Sequence, residues 1–252
     1  MSEITFYNWL IVSMFILAAA VFIGLFFITA PYGRHARSGW GPALNDKLGW
    51  IIMESSAPLV FFACYITGQS TTAAATVFLV MWELHYVHRA FIFPFSLRKG
   101  DGQITLAVIG MGFLFNTINA FLNGRYIYAF SGGYDIEWLS GPRFITGAVC
   151  FMAGFVVNRN SDWTLHNLRR PGESGYRIPH GGLYRWISCP NYFGEILIWA
   201  GWAVATWSLP GLAFAIWTAA NLIPRARSHQ RWYRERFPDY PEKRKTLIPL
   251  LW

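Results

Sequence analysis

The N-terminal part of the chain contains the apolar run WLIVSMFILAAAVFIGLFFITA, which extends from Trp9 to Ala30. At about 1.5 Å per helical residue, a run of this length crosses the roughly 30 Å hydrocarbon layer of a membrane. No positively charged segment precedes it, and no convincing cleavage site follows it. We therefore interpret it as a first membrane-spanning helix and not as a signal peptide.

The composition of the whole chain supports a membrane protein. Of 252 residues, 54% are hydrophobic and only 13% are charged, whereas soluble domains carry about 25% charged residues. Because we find no repeat and no flexible linker, we expect one all-α integral membrane domain, residues 1–252, with seven transmembrane helices. The six further spans are predicted at Trp50–Thr67, Thr71–Phe95, Ile104–Leu122, Arg143–Val157, Asn191–Trp207 and Leu212–Ile223.

Lysine and arginine are distributed unevenly between the two sides that seven spans create. Of the 21 such residues, only Arg125 and Arg143 fall in the loops of one side. The positive-inside rule then predicts an external N-terminus and a cytoplasmic C-terminus. Since the net charge of +8 is concentrated beside the membrane, we expect contacts with membrane lipids and not with nucleic acid. The membrane would be the bacterial inner membrane, or the endoplasmic reticulum membrane in a eukaryote.

Glu54 lies inside the second predicted span, where an ionised carboxylate costs several kcal/mol. It should therefore face an interior cavity and have a partner, and Tyr86 in the third span is a candidate. A tyrosine and a carboxyl in a dry pocket form a pair of hydrogen-bond donors that can polarise a carbonyl. The alternatives are that Glu54 is a structural residue paired with an arginine or a helix end, and that Tyr86 is an interfacial aromatic residue.

Histidine and cysteine give little indication of a metal or redox site. His85 and His88 are three residues apart, but they have no clear third ligand, so we predict no metal. Cys64, Cys150 and Cys189 lack metal-ligand spacing. We interpret the cysteines as packing residues and expect no disulfide.

A second polar cluster extends from Asn158 to Tyr233 on the predicted cytoplasmic face. Guanidinium groups bind phosphate through paired hydrogen bonds, and the arginines concerned are Arg169, Arg170, Arg177 and Arg225. The sequence has no Rossmann or Walker glycine loop, so side chains would have to hold a dinucleotide. The alternative is a basic loop that contacts lipid phosphates. That alternative leaves unexplained the polar residues at the span ends, namely Asn158, Asp162, Asn191 and Glu195.

The motifs in these stretches resemble those of the steroid 5α-reductases, the 3-oxo-5α-steroid 4-dehydrogenases. In the C-terminal half they are LRRPGE at 168–173, GYRIP at 175–179, GGL at 181–183, NYFGE at 191–195, ATWSLP at 205–210, DYP at 239–241 and KTLIP at 245–249. Upstream they are PYGRH at 31–35, Trp50 with Glu54, and LHYVHR at 84–89. The resemblance covers nearly the whole chain and is weakest from Gly124 to Ser140. The absence of eukaryotic signals and the Cys189-Pro190-Asn191 tripeptide favour a bacterial homologue of the type 2 enzyme.

The resemblance implies a seven-helix membrane enzyme that reduces the C4–C5 double bond of 3-oxo-4-ene steroids with NADPH. Glu54 and Tyr86 would then be catalytic and would engage the 3-oxo group of a steroid that enters from the lipid, with Trp50 and Trp217 as pocket walls. Residues 1–125 would mainly form the steroid pocket, and residues 142–252 would mainly bind NADPH. The implied cofactor residues are Tyr32, Arg89, Asn158, Asp162, Arg169, Tyr176, Arg177, Asn191, Glu195, Arg225, His229 and Tyr233.

Some alternatives stay open within and outside this family. Asp101 stands where the animal enzymes are expected to have a basic residue, so no cofactor role is assigned to it. Either tryptophan wall could instead be lipid-facing packing. Rival functions are a sterol double-bond reductase, an enoyl-CoA reductase, a more distant isoprenylcysteine-type methyltransferase and a non-catalytic sterol-binding protein. The Glu54 and Tyr86 pair favours an enone substrate. We expect a monomer.

Overall fold

A computed structural model describes residues 2–29, 41–96, 102–168 and 175–252 of the chain. Within these ranges the protein is predominantly helical. The α-helices are α1 (Glu3–Phe27), α2 (Asp46–Thr67), α3 (Ala73–Val87), α4 (Phe93–Ser96), α5 (Leu106–Arg125), α6 (Pro142–His166), α7 (Pro190–Thr206) and α8 (Leu209–Arg236).

Two π-helical segments extend the helices. His88–Ile92 joins α3 to α4, so helical backbone runs from Ala73 to Ser96, close to the predicted third span. Tyr126–Phe130 continues α5. Short 3₁₀ turns occupy Ile136–Ser140 and Gly182–Arg185.

A small antiparallel ribbon, which the sequence did not predict, accompanies the helices. Strand β1 (Ala43–Asn45) pairs with strand β2 (Gln103–Thr105), immediately before α2 and α5. The fourth span was predicted to begin at Ile104, but this residue lies in β2 and the helix begins at Leu106. The ribbon gives hydrogen-bond partners to backbone groups that precede both helices, which an apolar run by itself does not indicate.

Three helical stretches are long and apolar enough to cross a membrane: Glu3–Phe27, Asp46–Thr67 and Leu106–Phe130. They support an all-α integral membrane protein. The remaining predicted spans fall on helices that are shorter, such as α7 with 17 residues, or that continue into polar segments, such as α8. The count of seven spans and the external N-terminus stay predictions.

Residue contacts group the chain into two compact units, each described by itself. Unit 1 comprises Met1–Ile11, Ala30–Ile145 and Thr206–Gly211, and unit 2 comprises Val12–Thr29, Thr146–Ala205 and Leu212–Trp252. The prediction of a single membrane domain divided between substrate and cofactor functions stays a prediction.

In unit 1, α2 packs antiparallel to α3 and parallel to α5. Three hydrogen bonds set the register of α2 against α3 and its π-helical extension. Trp50 Nε1 donates to the Arg89 carbonyl oxygen (3.1 Å), and Trp82 Nε1 donates to the Ala57 carbonyl oxygen (3.2 Å). The hydroxyls of Tyr65 and Thr76 lie 3.3 Å apart. Glycines bring α5 close to α2. A Cβ at Gly49 would lie 2.9 Å from Ile109 Cδ1, and one at Gly124 would lie 2.7 Å from Cys64 Cβ.

In unit 2, glycines allow the backbones of α6 and α7 to touch. A Cβ at Gly154 would lie 2.6 Å from the Gly194 carbonyl oxygen, and one at Gly201 would lie 2.6 Å from the Gly147 carbonyl oxygen. On each helix the two glycines are seven residues apart and therefore share a face. Small residues permit this close approach between membrane helices.

Candidate functional site

Glu54 and Tyr86 are brought to the same level of unit 1. Glu54 lies four residues after Trp50 in α2, and His85 lies four residues before Arg89, the hydrogen-bond partner of Trp50. Because the helices run antiparallel with about the same rise per residue, Glu54 is level with His85 and its neighbour Tyr86. The expected pairing of the carboxyl and the phenol is therefore geometrically feasible.

Tyr86 is held in an aromatic environment. The residue is 3% exposed, and its ring lies 4.8 Å from the Trp82 ring and 5.0 Å from the His85 ring. Trp82 stacks on Phe61 with an interplanar angle of 8°. These contacts restrict the side chain and exclude water from much of its surface, as a site that polarises a carbonyl requires.

Glu54 is half-buried, and one of its contacts is a residue that the sequence analysis missed. Asn116 Nδ2 on α5 lies 3.2 Å from Glu54 Oε2. Asn116 belongs to a buried asparagine face of α5 that also includes Asn119 and Asn123. Their spacing of three and four residues in an apolar helix was a readable signal, because such a pattern places polar groups on one interior face.

Arg89 joins the predicted pocket wall. Its guanidinium lies 4.6 Å from the centre of the Trp50 ring and 4.7 Å from that of Phe93. Trp50 also donates to the Arg89 carbonyl oxygen. Trp50, a predicted substrate residue, and Arg89, a predicted cofactor residue, are therefore adjacent within unit 1.

In unit 2, Asn158, Asn191 and Glu195 form a hydrogen-bonded group where α6 meets α7. The buried Asn158 Nδ2 donates to the Asn191 carbonyl oxygen at 2.9 Å and to Glu195 Oε2 at 3.0 Å. Trp199 Nε1 donates to the other carboxylate oxygen, Oε1, at 3.0 Å. The sequence predicted the three polar residues, whereas Trp199 was not recognised as their partner.

Asp162 lies one helical turn beyond Asn158. Arg159, which was not assigned a role, contacts the Asn158 side-chain oxygen and forms an ion pair of 3.4 Å with Asp162. A separate cleft of about 80 Å³ is lined by α6 residues that include Asn160 and by the loop residues Gly181 and Gly182. By helical spacing, the α6 residues of this cleft lie on a different side of the helix from Asn158 and Asp162, so the cleft is distinct from the polar group.

Arg225 and His229 meet at Tyr192. The Tyr192 hydroxyl lies 3.3 Å from His229 Nε2. The Arg225 guanidinium lies 5.6 Å from the Tyr192 ring centre, and its Nη1 donates to Asn221 Oδ1 at 3.4 Å. Tyr192 follows Asn191 directly, so the first turn of α7 carries both a predicted cofactor residue and the centre of this cluster.

Tyr176 and Tyr233 belong to an aromatic layer between the loop before α7 and the C-terminal tail. Tyr176 packs edge-on against Trp232 at 4.8 Å, and Tyr233 stacks on Tyr240 at 5.4 Å. The Tyr240 hydroxyl lies 2.7 Å from Ser188 Oγ. Burial raises the pKa of Tyr240, while the hydrogen bond with Ser188 opposes this shift, so its phenol stays neutral at physiological pH. The stacking on Tyr240 holds the Tyr233 ring in this aromatic layer.

The other predicted residues are placed as follows. Arg177 is exposed in the loop beside this layer, and Trp217 lies on α8 in unit 2. Tyr32 and Arg169 lie outside the described residues, as does Asp101. Among the residues that the structure describes, no group of three His, Cys, Asp or Glu side chains could hold a metal ion. The three cysteines are free thiols.

Comparison with known proteins gives strong similarity along the chain. A family model described as 3-oxo-5-alpha-steroid 4-dehydrogenase matches residues 102–252. The chain is 39% identical over 256 residues to Steroid 5-alpha-reductase DET2 of Gossypium hirsutum, covering 100% of the chain and 99% of that protein. It is 40% identical over 240 residues to 3-oxo-5-alpha-steroid 4-dehydrogenase 1 of Bos taurus, covering 93% of each. The similarity therefore includes both units.

Proposed function

Because the chain belongs to the 3-oxo-5-alpha-steroid 4-dehydrogenase family, we propose that it is an NADPH-dependent oxidoreductase that reduces the C4–C5 double bond of 3-oxo-4-ene steroids. The resemblance inferred from the sequence motifs is confirmed at the level of the family. The relatives named above are a DET2 and a type 1 enzyme, so a bacterial type 2 homologue stays a prediction. The observation that carries the proposal is the level placement of Glu54 and Tyr86 on adjacent helices.

The proposed roles of Glu54 and Tyr86 follow from the chemistry of an enone. As hydride adds at C5, the C4–C5 electron pair moves into a C3–C4 double bond and negative charge develops on the 3-oxo oxygen. Glu54 and Tyr86 donate hydrogen bonds to that oxygen and stabilise the enolate. A proton added at C4 then restores the ketone, so the product gains one hydride and one proton.

NADPH would supply the hydride when bound. The donor set of unit 2 fits such a ligand. The guanidinium groups of Arg177 and Arg225 suit its phosphates, and the polar side chains around Asn158 suit its ribose and amide groups. The cluster at Tyr192 supports this assignment, because the Tyr192 hydroxyl lies 3.3 Å from His229 and the Arg225 guanidinium lies 5.6 Å from the centre of the Tyr192 ring.

An apolar substrate is proposed to enter from the lipid. Helix α2, which carries Glu54, also exposes Leu59 and Ile66, each with 63% of its surface accessible. Such exposure on a helix long enough to span suits contact with lipid. The same proposal includes contact with membrane lipids and a monomeric state. It also includes Trp50 and Trp217 as pocket walls, and a location in the bacterial inner membrane or the endoplasmic reticulum membrane.

The direct test is turnover by the purified protein in lipid nanodiscs. With NADPH and a 3-oxo-4-ene steroid, we expect cofactor oxidation coupled to formation of the 5α-dihydro steroid, identified by chromatography against both C5 epimers. The matched control steroid has the same 3-oxo group but a saturated C4–C5 bond, and it should not consume NADPH. Steroid-independent oxidation of NADPH, or turnover of an enoyl-CoA and not of any steroid enone, would refute the proposal.

Replacing Arg177 with alanine should raise the KM for NADPH by about 10- to 100-fold, because a charge-assisted hydrogen bond contributes about 1.5–3 kcal/mol. The turnover number at saturating NADPH should change little, since Arg177 has no proposed role at the enone. Initial rates over a range of NADPH concentrations measure both quantities. Arg185→Ala removes another exposed arginine of the same unit and is the control. An unchanged KM in Arg177→Ala contradicts the assignment.

A further inference from the structure

Asn116 occupies a defined position between the backbone of α2 and the carboxyl of Glu54. Its Nδ2 lies 2.9 Å from the Met53 carbonyl oxygen and 3.2 Å from Glu54 Oε2. The side chain is buried, with 6% of its surface exposed. A buried amide that contacts two acceptors on consecutive residues restricts the conformation of both.

The chemistry of these contacts fixes which end of the amide faces Glu54. A backbone carbonyl oxygen only accepts hydrogen bonds, so the atom of Asn116 next to Met53 must be the amide nitrogen. That nitrogen carries two hydrogens, and the second is available to Glu54 Oε2. Oε2 therefore accepts a hydrogen bond, and because the carbonyl oxygen of a carboxylic acid is the better acceptor, this contact favours the acidic proton of a neutral Glu54 on Oε1.

A proline interrupts the hydrogen bonding of α2 next to the contact with Asn116. Pro58 lies within α2, four residues after Glu54. It has no N–H to donate to the Glu54 carbonyl oxygen, so the helix lacks that one hydrogen bond. Asn116 contacts the carbonyl oxygen of Met53, the residue directly before Glu54.

We propose that Asn116 is a positioning residue for Glu54, an inference that rests on the proposed function. It holds the carboxyl in one orientation and keeps the acidic proton on Oε1, which donates to the 3-oxo oxygen of the steroid. Asn116 acts through Glu54 and does not itself contact the reacting atoms. Asn116, the first residue of the buried asparagine face of α5, thus serves to position Glu54.

The variants Asn116→Leu and Asn116→Asp test this proposal. Both approximate the size of asparagine, but neither supplies two N–H donors. We expect the turnover number to fall by about 10- to 100-fold, which corresponds to the loss of a hydrogen bond to an ionisable group, while the KM for NADPH changes less than about twofold. Thr117→Val, which removes the neighbouring hydroxyl bond to Phe113, should retain wild-type turnover. Rates are normalised to the fraction of protein that binds NADPH, so that misfolded material is not counted.

A double-mutant cycle with Glu54→Gln separates positioning from general stability. If Asn116 acts through Glu54, adding Asn116→Leu to Glu54→Gln should lower turnover no further. Multiplicative losses would overturn the proposal, and so would wild-type turnover in either Asn116 variant. If Asn116→Leu does not fold, the same cycle with Asn116→Asp decides. Failure of the proposed function differs from failure of this inference, because in the first case the wild-type protein itself reduces no steroid enone.

Discussion

Replacing Tyr86 with phenylalanine is expected to lower the turnover number for a 3-oxo-4-ene steroid by about 10²- to 10³-fold, the usual effect of removing one oxyanion donor. Glu54→Gln should have an effect of similar size, because the amide keeps the shape of the side chain but is a far weaker proton donor. NADPH binding should be nearly unchanged in both variants. Stopped enzymatic assays and NADPH titrations measure the two properties separately.

The chain contains a close control for Tyr86→Phe. Tyr65 lies on α2, and its hydroxyl is 3.3 Å from that of Thr76 on α3. Tyr65→Phe therefore removes the same atoms at the other end of the same helix pair, and we expect near wild-type turnover. If Tyr86→Phe and Tyr65→Phe were equally active, Tyr86 would not be the carbonyl donor. Loss of NADPH binding in Glu54→Gln would show that this residue serves the cofactor.

Substituting Gly194 with alanine is expected to destabilise the protein and to weaken NADPH binding together. The new Cβ would lie 2.6 Å from the Asn158 backbone nitrogen and 2.7 Å from the Gly154 carbonyl oxygen, so backbone must move. Overpacking of this kind costs about 1–3 kcal/mol. Because Asn158 links Asn191 and Glu195, displacement of its backbone should also raise the KM for NADPH.

Gly24→Ala is the matched control for Gly194→Ala. Gly24 also lies in a long helix, but an added Cβ would meet no atom within 4 Å. Alanine is favoured over glycine in a helix interior by up to about 1 kcal/mol, so this variant should be at least as stable as the wild type. Thermal unfolding in nanodiscs compares the two. Equal melting temperatures would contradict the tight α6–α7 contact.

Part of the candidate site could be predicted from polar residues that lie within apolar stretches or at their ends. A carboxyl in an apolar span singled out Glu54, because an ionisable group inside a membrane span is costly, whereas Tyr86 was one candidate partner and its role came from the family resemblance. Asn158, Asn191 and Glu195 were predicted on the same ground. Asn116 and Trp199 were missed, because their relevance depends on which residue of another helix lies opposite them.

The hydrophobic pattern of the sequence also did not predict the short ribbon or several helix ends. Ile104 lies in an apolar run, yet it pairs with Leu44 in the ribbon. Helix α6 continues through the polar residues after Asn158 to His166. Hydrophobicity indicates where a chain is buried, but backbone hydrogen bonding and packing determine where a helix begins and ends.

The sequence by itself determined the helical membrane class, the family and the chemical types of the assigned site residues, because apolar length and motif composition are local properties of the chain. The tertiary structure decided which residues meet. Three hydrogen bonds set the register that places Glu54 level with Tyr86, glycine contacts bring Asn158 to Glu195, and Asn116 reaches Glu54 from a helix more than fifty residues away. Register and close approach depend on the fit of side chains from distant segments, which spacing along one chain does not specify.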